Sequence, residues 1–277
     1  MKTIESFGMK STGNIVIEAD NMDALAYLSN EYKASIDVIT IDPPYNTEIS
    51  YIGYKDSNYS EGWGKFIRDR LIIAKELLSP TGTVFINIDE NELSCLMDVC
   101  RSIFGWENVN ILIWPKIDAR FDQNRVEKPI YNIKSAHEYI VLCYMDKSKT
   151  HFSNMGNGKP MESIVSGLGT TSSAKDEIAD LLGDRTAFST PKPVDLIKEI
   201  IRVSSKKDSI VLDFFAGSGT AGHAVMRLNK EDDGNRKFIL VTNNESDICR
   251  KVTVPRLIAA IEKEEFRTGF DFITMME

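Results

Sequence analysis

Two short runs combine residue types that can do chemistry. The first is Asp42-Pro43-Pro44-Tyr45, which directly follows the apolar run Ile36–Ile41. Asp42 supplies a carboxylate acceptor. The Pro43 carbonyl is a second acceptor, on backbone whose φ is fixed by the ring, and the Pro44 nitrogen carries no competing hydrogen. Tyr45 adds an aromatic face. Two acceptors beside a stacking ring suit an exocyclic amino group on a planar base. Such a base must leave a duplex to be reached, and flipped bases are read by stacking and edge hydrogen bonds. Alone, the run also reads as a Pro-Pro turn closing a strand.

The second run is Asp213-Phe214-Phe215-Ala216-Gly217-Ser218-Gly219-Thr220. Small residues between a strand and a helix permit positive φ and close backbone approach. The following helix offers free N–H groups to an anion. No Lys-Ser/Thr follows Gly219, so this is not a Walker A loop. Counted from Gly217, G-S-G-T-A-G does fit the dinucleotide pattern, and on this run alone a nicotinamide site is a rival. Glu245 lies after the next strand, where an acid can bind ribose hydroxyls. That favours an adenosine-containing ligand without choosing one.

The elements that must carry these runs alternate along the chain. Strands are expected at Asn14–Glu18, Ile36–Ile41, Thr83–Ile88, Val109–Trp114, Glu138–Tyr144, Ser209–Phe214 and Phe238–Val241, the last clear one. Helices are expected at Met22–Leu28, Trp63–Leu78, Glu90–Phe104, Pro193–Val203, Ala221–Leu228 and Asp247–Glu264, with a weak signal at Ala174–Leu182. Ser79-Pro80-Thr81-Gly82 reads as a breaker. Asp20 and Asn21 are good N-cap residues. The alternation predicts an α/β, doubly wound, mostly parallel sheet. One domain over 1–277 is expected, with an irregular insertion at 115–137 and a flexible loop region at 146–189.

Composition bounds the class. The chain has 277 residues, 42% hydrophobic and 27% charged, with net charge −8. This excludes disordered, collagenous and disulfide-scaffold proteins. No apolar run approaches the ~18 residues of a membrane span, and no apolar signal core opens the chain, so a cytoplasmic protein is expected. Cys95, Cys100, Cys143 and Cys249 are scattered. They read as buried thiols rather than metal ligands. The acidic balance argues against bulk electrostatic nucleic-acid binding, but a local basic strip remains open. Between Pro115 and His137, Lys116, Arg120, Arg125, Lys128 and Lys134 face three acids, a net of +2. These residues are candidates for phosphate contacts, with Tyr131 among them to stack or wedge; a solvated loop is the alternative.

With both runs in view, the chain resembles the S-adenosylmethionine-dependent DNA amino-methyltransferases. DPPY at 42–45 looks like their catalytic motif, and FFAGSGT at 214–220 like their cofactor motif. The order, catalytic before cofactor, resembles the circularly arranged β group, which includes the modification subunits of type III restriction systems. IDPPYNT (41–47), RLIIAKELLSPTGTVFINIDENE (70–92), HEYIVL (137–142), TPKP (190–193), IVLDFFAGSGTAGHAV (210–225) and GNRKFILV (234–241) extend the similarity. The resemblance implies a Rossmann-like methyltransferase sheet, S-adenosylmethionine as cofactor, and adenine N6 in duplex DNA as target, flipped out and attacked directly. Cytosine N4, RNA, or a subunit inactive without a specificity partner are the alternatives. Asp42, Pro43, Pro44 and Tyr45 would be catalytic.

The resemblance also implies cofactor roles. Asp213, Phe215, Ala216, Gly217 and Gly219 would face the methionine part. Glu245 would bind the ribose and Asp20 the cofactor adenine, unless Asp20 is only a cap. Thr190 and Lys192 match the segment before the cofactor strand, with Lys192 pairing the methionine carboxylate. No metal is needed. Type III modification subunits are much longer, so this chain has room for only a small target-recognition region. A solitary enzyme, a mobile-element enzyme, a homodimer, or a subunit of a restriction or specificity complex all fit.

Overall fold

The computed structural model describes residues 2–47, 50–51, 54–55, 62–117, 135–150, 152, 161–243 and 245–275. In chain order the elements are β1 (Lys2–Gly8), β2 (Ile15–Glu18), α1 (Asn21–Leu28), β3 (Ile36–Ile41), the short pair β4 (Ser50–Tyr51) and β5 (Tyr54–Lys55), α2 (Trp63–Leu77), β6 (Leu78–Ile88), α3 (Leu93–Phe104), β7 (Val109–Pro115) and β8 (His137–Tyr144). Then come α4 (Thr171–Leu182), α5 (Val194–Ser204), β9 (Ile210–Asp213), α6 (Thr220–Asp232), β10 (Lys237–Thr242), α7 (Val254–Lys263) and β11 (Gly269–Met275).

Among the described residues, nine strands form one sheet in the order β1-β11-β2-β10-β9-β3-β6-β8-β7. The strands from β11 to β6 run parallel, and β1, β8 and β7 pair antiparallel at the two edges. Alternate residues of the central strands feed opposite faces, as the two-residue strand period requires. Val38, Val211, Phe238 and Leu240 join the apolar layer with α5, α6 and α7. Ile39, Leu212, Ile239 and Val241 join the layer with α1, α2 and α3. Burial on both faces explains why these strands read as continuous apolar runs.

Three expectations need correction. Phe238–Val241 is not the last strand: β11 follows it, and β1 lies against β11 with Lys2 opposite Met275 and Gly8 opposite Gly269. Helix α2 stops before Ser79 to Gly82 as expected, but that segment is not a turn. It lies inside β6, where the register against β3 jumps from Ile36↔Leu78 to Val38↔Thr83. Proline lacks a ladder donor and is accommodated at such bulges. The helix expected at Asp247–Glu264 forms as one helical run from Ile248 to Lys263, but its first part is π-wound rather than α. Ser246 and Asp247 have φ of 52° and 59°, a π turn covers Cys249–Thr253, and α7 starts at Val254 beside Pro255. Within 146–189 lies α4, capped by Thr170, whose side chain accepts from Ser173 N.

Candidate active site

The two chemistry-bearing runs meet at the point where the winding of the sheet reverses. From β9 the chain winds through α6 to β10 on one side, and from β3 through α2 to β6 on the other. β3 and β9 are parallel neighbours, with Val38 opposite Val211 and Ile39 opposite Leu212. Asp42 and Asp213 therefore emerge side by side at the carboxyl ends of adjacent strands, where open α/β sheets bind ligands.

A cavity of about 560 Å³ opens there. Asp20, Asn243, Glu245, Phe215, Ala216 and Gly217 line it, as do Asp213, Thr190 and Lys192. Asp42, Pro43, Pro44, Tyr45, Lys116 and Glu138 complete the other end. Gly219 is not a wall residue. It caps α6 at φ 80°, a conformation that suits glycine. Arg120, Arg125, Lys128 and Tyr131 lie outside the described residues.

The glycine turn is braced from behind. Thr253 Oγ1 donates to Gly217 O at 2.6 Å, and buried Arg256 donates to Ser218 Oγ and Thr220 Oγ1, both at 2.8 Å. In front, the Asn21 amide donates to Phe214 O at 3.2 Å and itself accepts from Arg70. Arg70 stacks 3.7 Å over the Phe66 ring, which lies 6.0 Å from Phe215. Asp20 caps α1 by accepting from Met22 N at 2.7 Å and also faces the cavity.

Asp42 is held by neighbours on four segments. Asn87 donates to Ile41 O at 3.1 Å and fixes the strand end, while Trp63 Nε1 donates to Pro44 O at 2.7 Å. Lys192 Nζ donates to both Asp42 oxygens, at 2.8 and 2.7 Å, and to the Tyr45 hydroxyl at 2.9 Å. That hydroxyl lies 2.7 Å from Asp42 Oδ1 and 3.1 Å from Glu138 Oε2, so its one proton serves either carboxylate. Lys192 was expected to point at a methionine carboxylate; the structure sets it on Asp42.

Glu138 is a member that sequence reasoning missed. It sat in the HEYIVL run without a role, and its one signal was a lone acid opening an apolar strand. It is 8% exposed. Its Oε2 lies 3.4 Å from Lys192 Nζ and its Oε1 3.3 Å from Lys116 Nζ. Arg70, Asn21 and Asn87 were missed too, because each acts through a backbone or side-chain partner remote in sequence.

Burial raises the Asp42 carboxyl above its ordinary 3.8; the Lys192 ammonium pulls it down and the Glu138 charge pushes it up. Burial also acts to raise Glu138, but Lys192 and Lys116 outweigh it and the pKa is lowered. Asp213 is lifted well above 3.8 by burial, against the hydrogen bond from Phe215 N. Burial, then the charge of Asp42, pushes the Tyr45 phenol well above 10, so its hydroxyl stays protonated. The site thus offers a half-buried carboxylate, a neutral phenol and a cavity of about 560 Å³.

The chain is 28% identical to the type III restriction-modification enzyme StyLTI Mod subunit of Salmonella typhimurium (strain LT2), over 86% of this chain and 53% of that protein. It spans about half the length of the Mod subunits it matches. Its fold is similar to that of an M1.HpyAVI–SAM complex, with TM-score 0.56 and 21% identity over 88% of this chain and 98% of that one. It is also similar to PvuII DNA methyltransferase (cytosine-N4-specific), with TM-score 0.61 and 15% identity over 88% of this chain and 86% of that one. Residues 36–266, which hold both strand ends and the whole Asp42 cluster, match the family model for DNA methylases, and the chain belongs to that family.

Proposed function

We propose that this protein transfers a methyl group from S-adenosylmethionine to the exocyclic N6 of adenine in DNA, with the target base flipped out of the duplex. One observation carries the reading: the Asp42–Tyr45 run and the glycine turn end adjacent strands and line one cavity of about 560 Å³. The residues fit the cofactor. A Cβ at Gly217 would lie 3.0 Å from the Phe188 ring, so the turn stays open only with glycine. Phe215, Ala216 and Gly217 would hold the methionine part, Glu245 the ribose and Asp20 the adenine. S-adenosylmethionine, when bound, supplies a sulfonium methyl.

Asp42 and the Pro43 carbonyl accept the two N–H bonds of the target amine. This favours a pyramidal nitrogen with its lone pair available, and it stabilises the positive charge that grows there during attack. Tyr45 stacks on the base and keeps its reacting nitrogen in line, which supplies the positional part of the rate. The surplus proton passes to Asp42 or directly to water. The resemblance of the Asp42–Tyr45 run to the adenine N6 motif supports adenine over cytosine. A DNA partner, a second copy or a recognition subunit would complete the duplex contact.

The test is incubation of the protein and S-adenosylmethionine with unmethylated duplex DNA, followed by digestion and nucleoside mass spectrometry. N6-methyladenine is expected. N4-methylcytosine in its place would overturn the adenine assignment.

A further inference from the structure

Lys192 poses a problem for the reaction just proposed. Its ammonium donates to both oxygens of Asp42 and to the Tyr45 hydroxyl. It is buried, and it sits 5.2 Å from the Tyr45 ring centre and 5.9 Å from that of Trp114. In this position it occupies acceptors that an incoming amino group needs. It also puts a positive charge where the attacking nitrogen becomes positive. A second acceptor stands beside it: Glu138 Oε2 is 3.4 Å away, and Glu138 is anchored on its far oxygen by Lys116.

We propose that Glu138 is a positioning residue for methyl transfer, the carboxylate that takes over the Lys192 ammonium when the target amine takes the oxygens of Asp42. This rests on the methyltransferase reading of the site. The two carboxylates share one cation, and the Tyr45 hydroxyl, within hydrogen-bond reach of both, stays on Asp42 as the cation moves. Glu138 comes from β8 and Lys192 from the segment before α5, so the exchange needs only side-chain movement. The titratable and charged groups around the pair are Lys192, Tyr45, Lys116, Asp213 at the end of β9 and Asp89 after β6.

The sign of the pH effect follows. Glu138 holds the Asp42 pKa up and Lys192 holds it down. Glu138→Gln removes the upward push and leaves Lys192 wholly on Asp42, so the Asp42 pKa is expected to fall.

The experiment compares wild type, Glu138→Gln and Glu138→Gln/Lys192→Met in single-turnover transfer from methyl-labelled S-adenosylmethionine to duplex DNA, from pH 5 to 9. Cofactor binding is titrated alongside. Glu138→Gln is expected to bind S-adenosylmethionine within about threefold of wild type and to transfer at least tenfold more slowly. The acidic limb of its profile is expected to lie at lower pH. The double variant is expected to be faster than Glu138→Gln, because the competing ammonium is gone. An unchanged rate in Glu138→Gln overturns the proposal, and so does a slowed rate with an unmoved limb and no recovery in the double variant. Wild type that binds S-adenosylmethionine but methylates no DNA contradicts the methyltransferase reading instead. The sharing of Lys192 is then read from the Asp42 carboxyl carbon by NMR titration. Glu138→Gln must lower that pKa, and an unmoved titration overturns the proposal.

Discussion

At the scale of single residues, the centre of the site is one half-buried carboxylate and the buried cation set upon it. The Asp42–Tyr45 run was legible because four adjacent residues carry one chemical idea: two acceptors, no competing donor and a ring. Glu138 and Lys192 were not legible as its partners. They are 96 and 150 residues from Asp42 in sequence, and only the sheet brings them within reach. The electrostatics predict a pH dependence. Burial lifts Asp42 above 3.8, and in the proposed reaction its charged form is the working one, so transfer is expected to fall as pH drops through that raised value. Lys192→Met removes a cation that holds the pKa down. Its acidic limb is therefore expected at higher pH than wild type, opposite in direction to that of Glu138→Gln. Single-turnover pH profiles check this; a limb that moves to lower pH contradicts it.

Elements decide whether those residues meet. Strand β3 was legible to the residue at both ends, because a strand covered on both faces is apolar throughout. The turn after β9 was legible from its glycines. What escaped were features set by pairing partners rather than by local pattern: the bulge in β6, the edge strand β1 and its neighbour β11. Lys2–Gly8 forms the exposed edge and is largely polar, and in Gly269–Met275 the apolar residues are interrupted by Asp271. Their pairing instead buries Phe270 and Phe272, with the Phe7 ring 5.4 and 6.5 Å from them. The glycine turn makes its own prediction. Gly217 has φ 46°, and a side chain there meets the Phe188 ring at 3.0 Å. Backbone strain of about 1–3 kcal/mol at such a φ implies that Gly217→Val weakens S-adenosylmethionine binding by roughly tenfold or more. Calorimetric titration checks this; an unchanged affinity would place the cofactor elsewhere.

For the whole molecule, the reversal of winding between β9 and β3 converts two sequence motifs 170 residues apart into one cavity. The doubly wound architecture was legible from the alternation of elements. The exact strand order was not, because long-range pairing leaves no local trace. Behind the cavity, α6 and the end of α7 are joined by a buried cluster. His223 Nε2 lies 2.7 Å from Glu264 Oε1, and Arg227 pairs with the same carboxylate at 2.8 Å. Burial lowers the His223 pKa from 6.5 to about 4. A base with a depressed folded-state pKa gives stability that is present above pH 6.5 and lost as pH falls toward 4. Across that window the loss from His223 is roughly 3 kcal/mol. His223→Gln cannot take up a proton. Its urea-unfolding free energy is expected to fall less than that of wild type between pH 7 and 4.5, and an equal fall in both would contradict the buried neutral imidazole.

In the proposed reaction Asp42 drives methyl transfer to adenine N6 in a cavity shared with the cofactor. Single-turnover transfer to duplex DNA by wild type and Asp42→Ala, with product nucleosides resolved and cofactor binding titrated in parallel, tests it most directly. N6-methyladenine is expected from wild type. In Asp42→Ala a loss of roughly 100-fold or more is expected, with S-adenosylmethionine binding retained. Transfer by Asp42→Ala at a rate near wild type would contradict it.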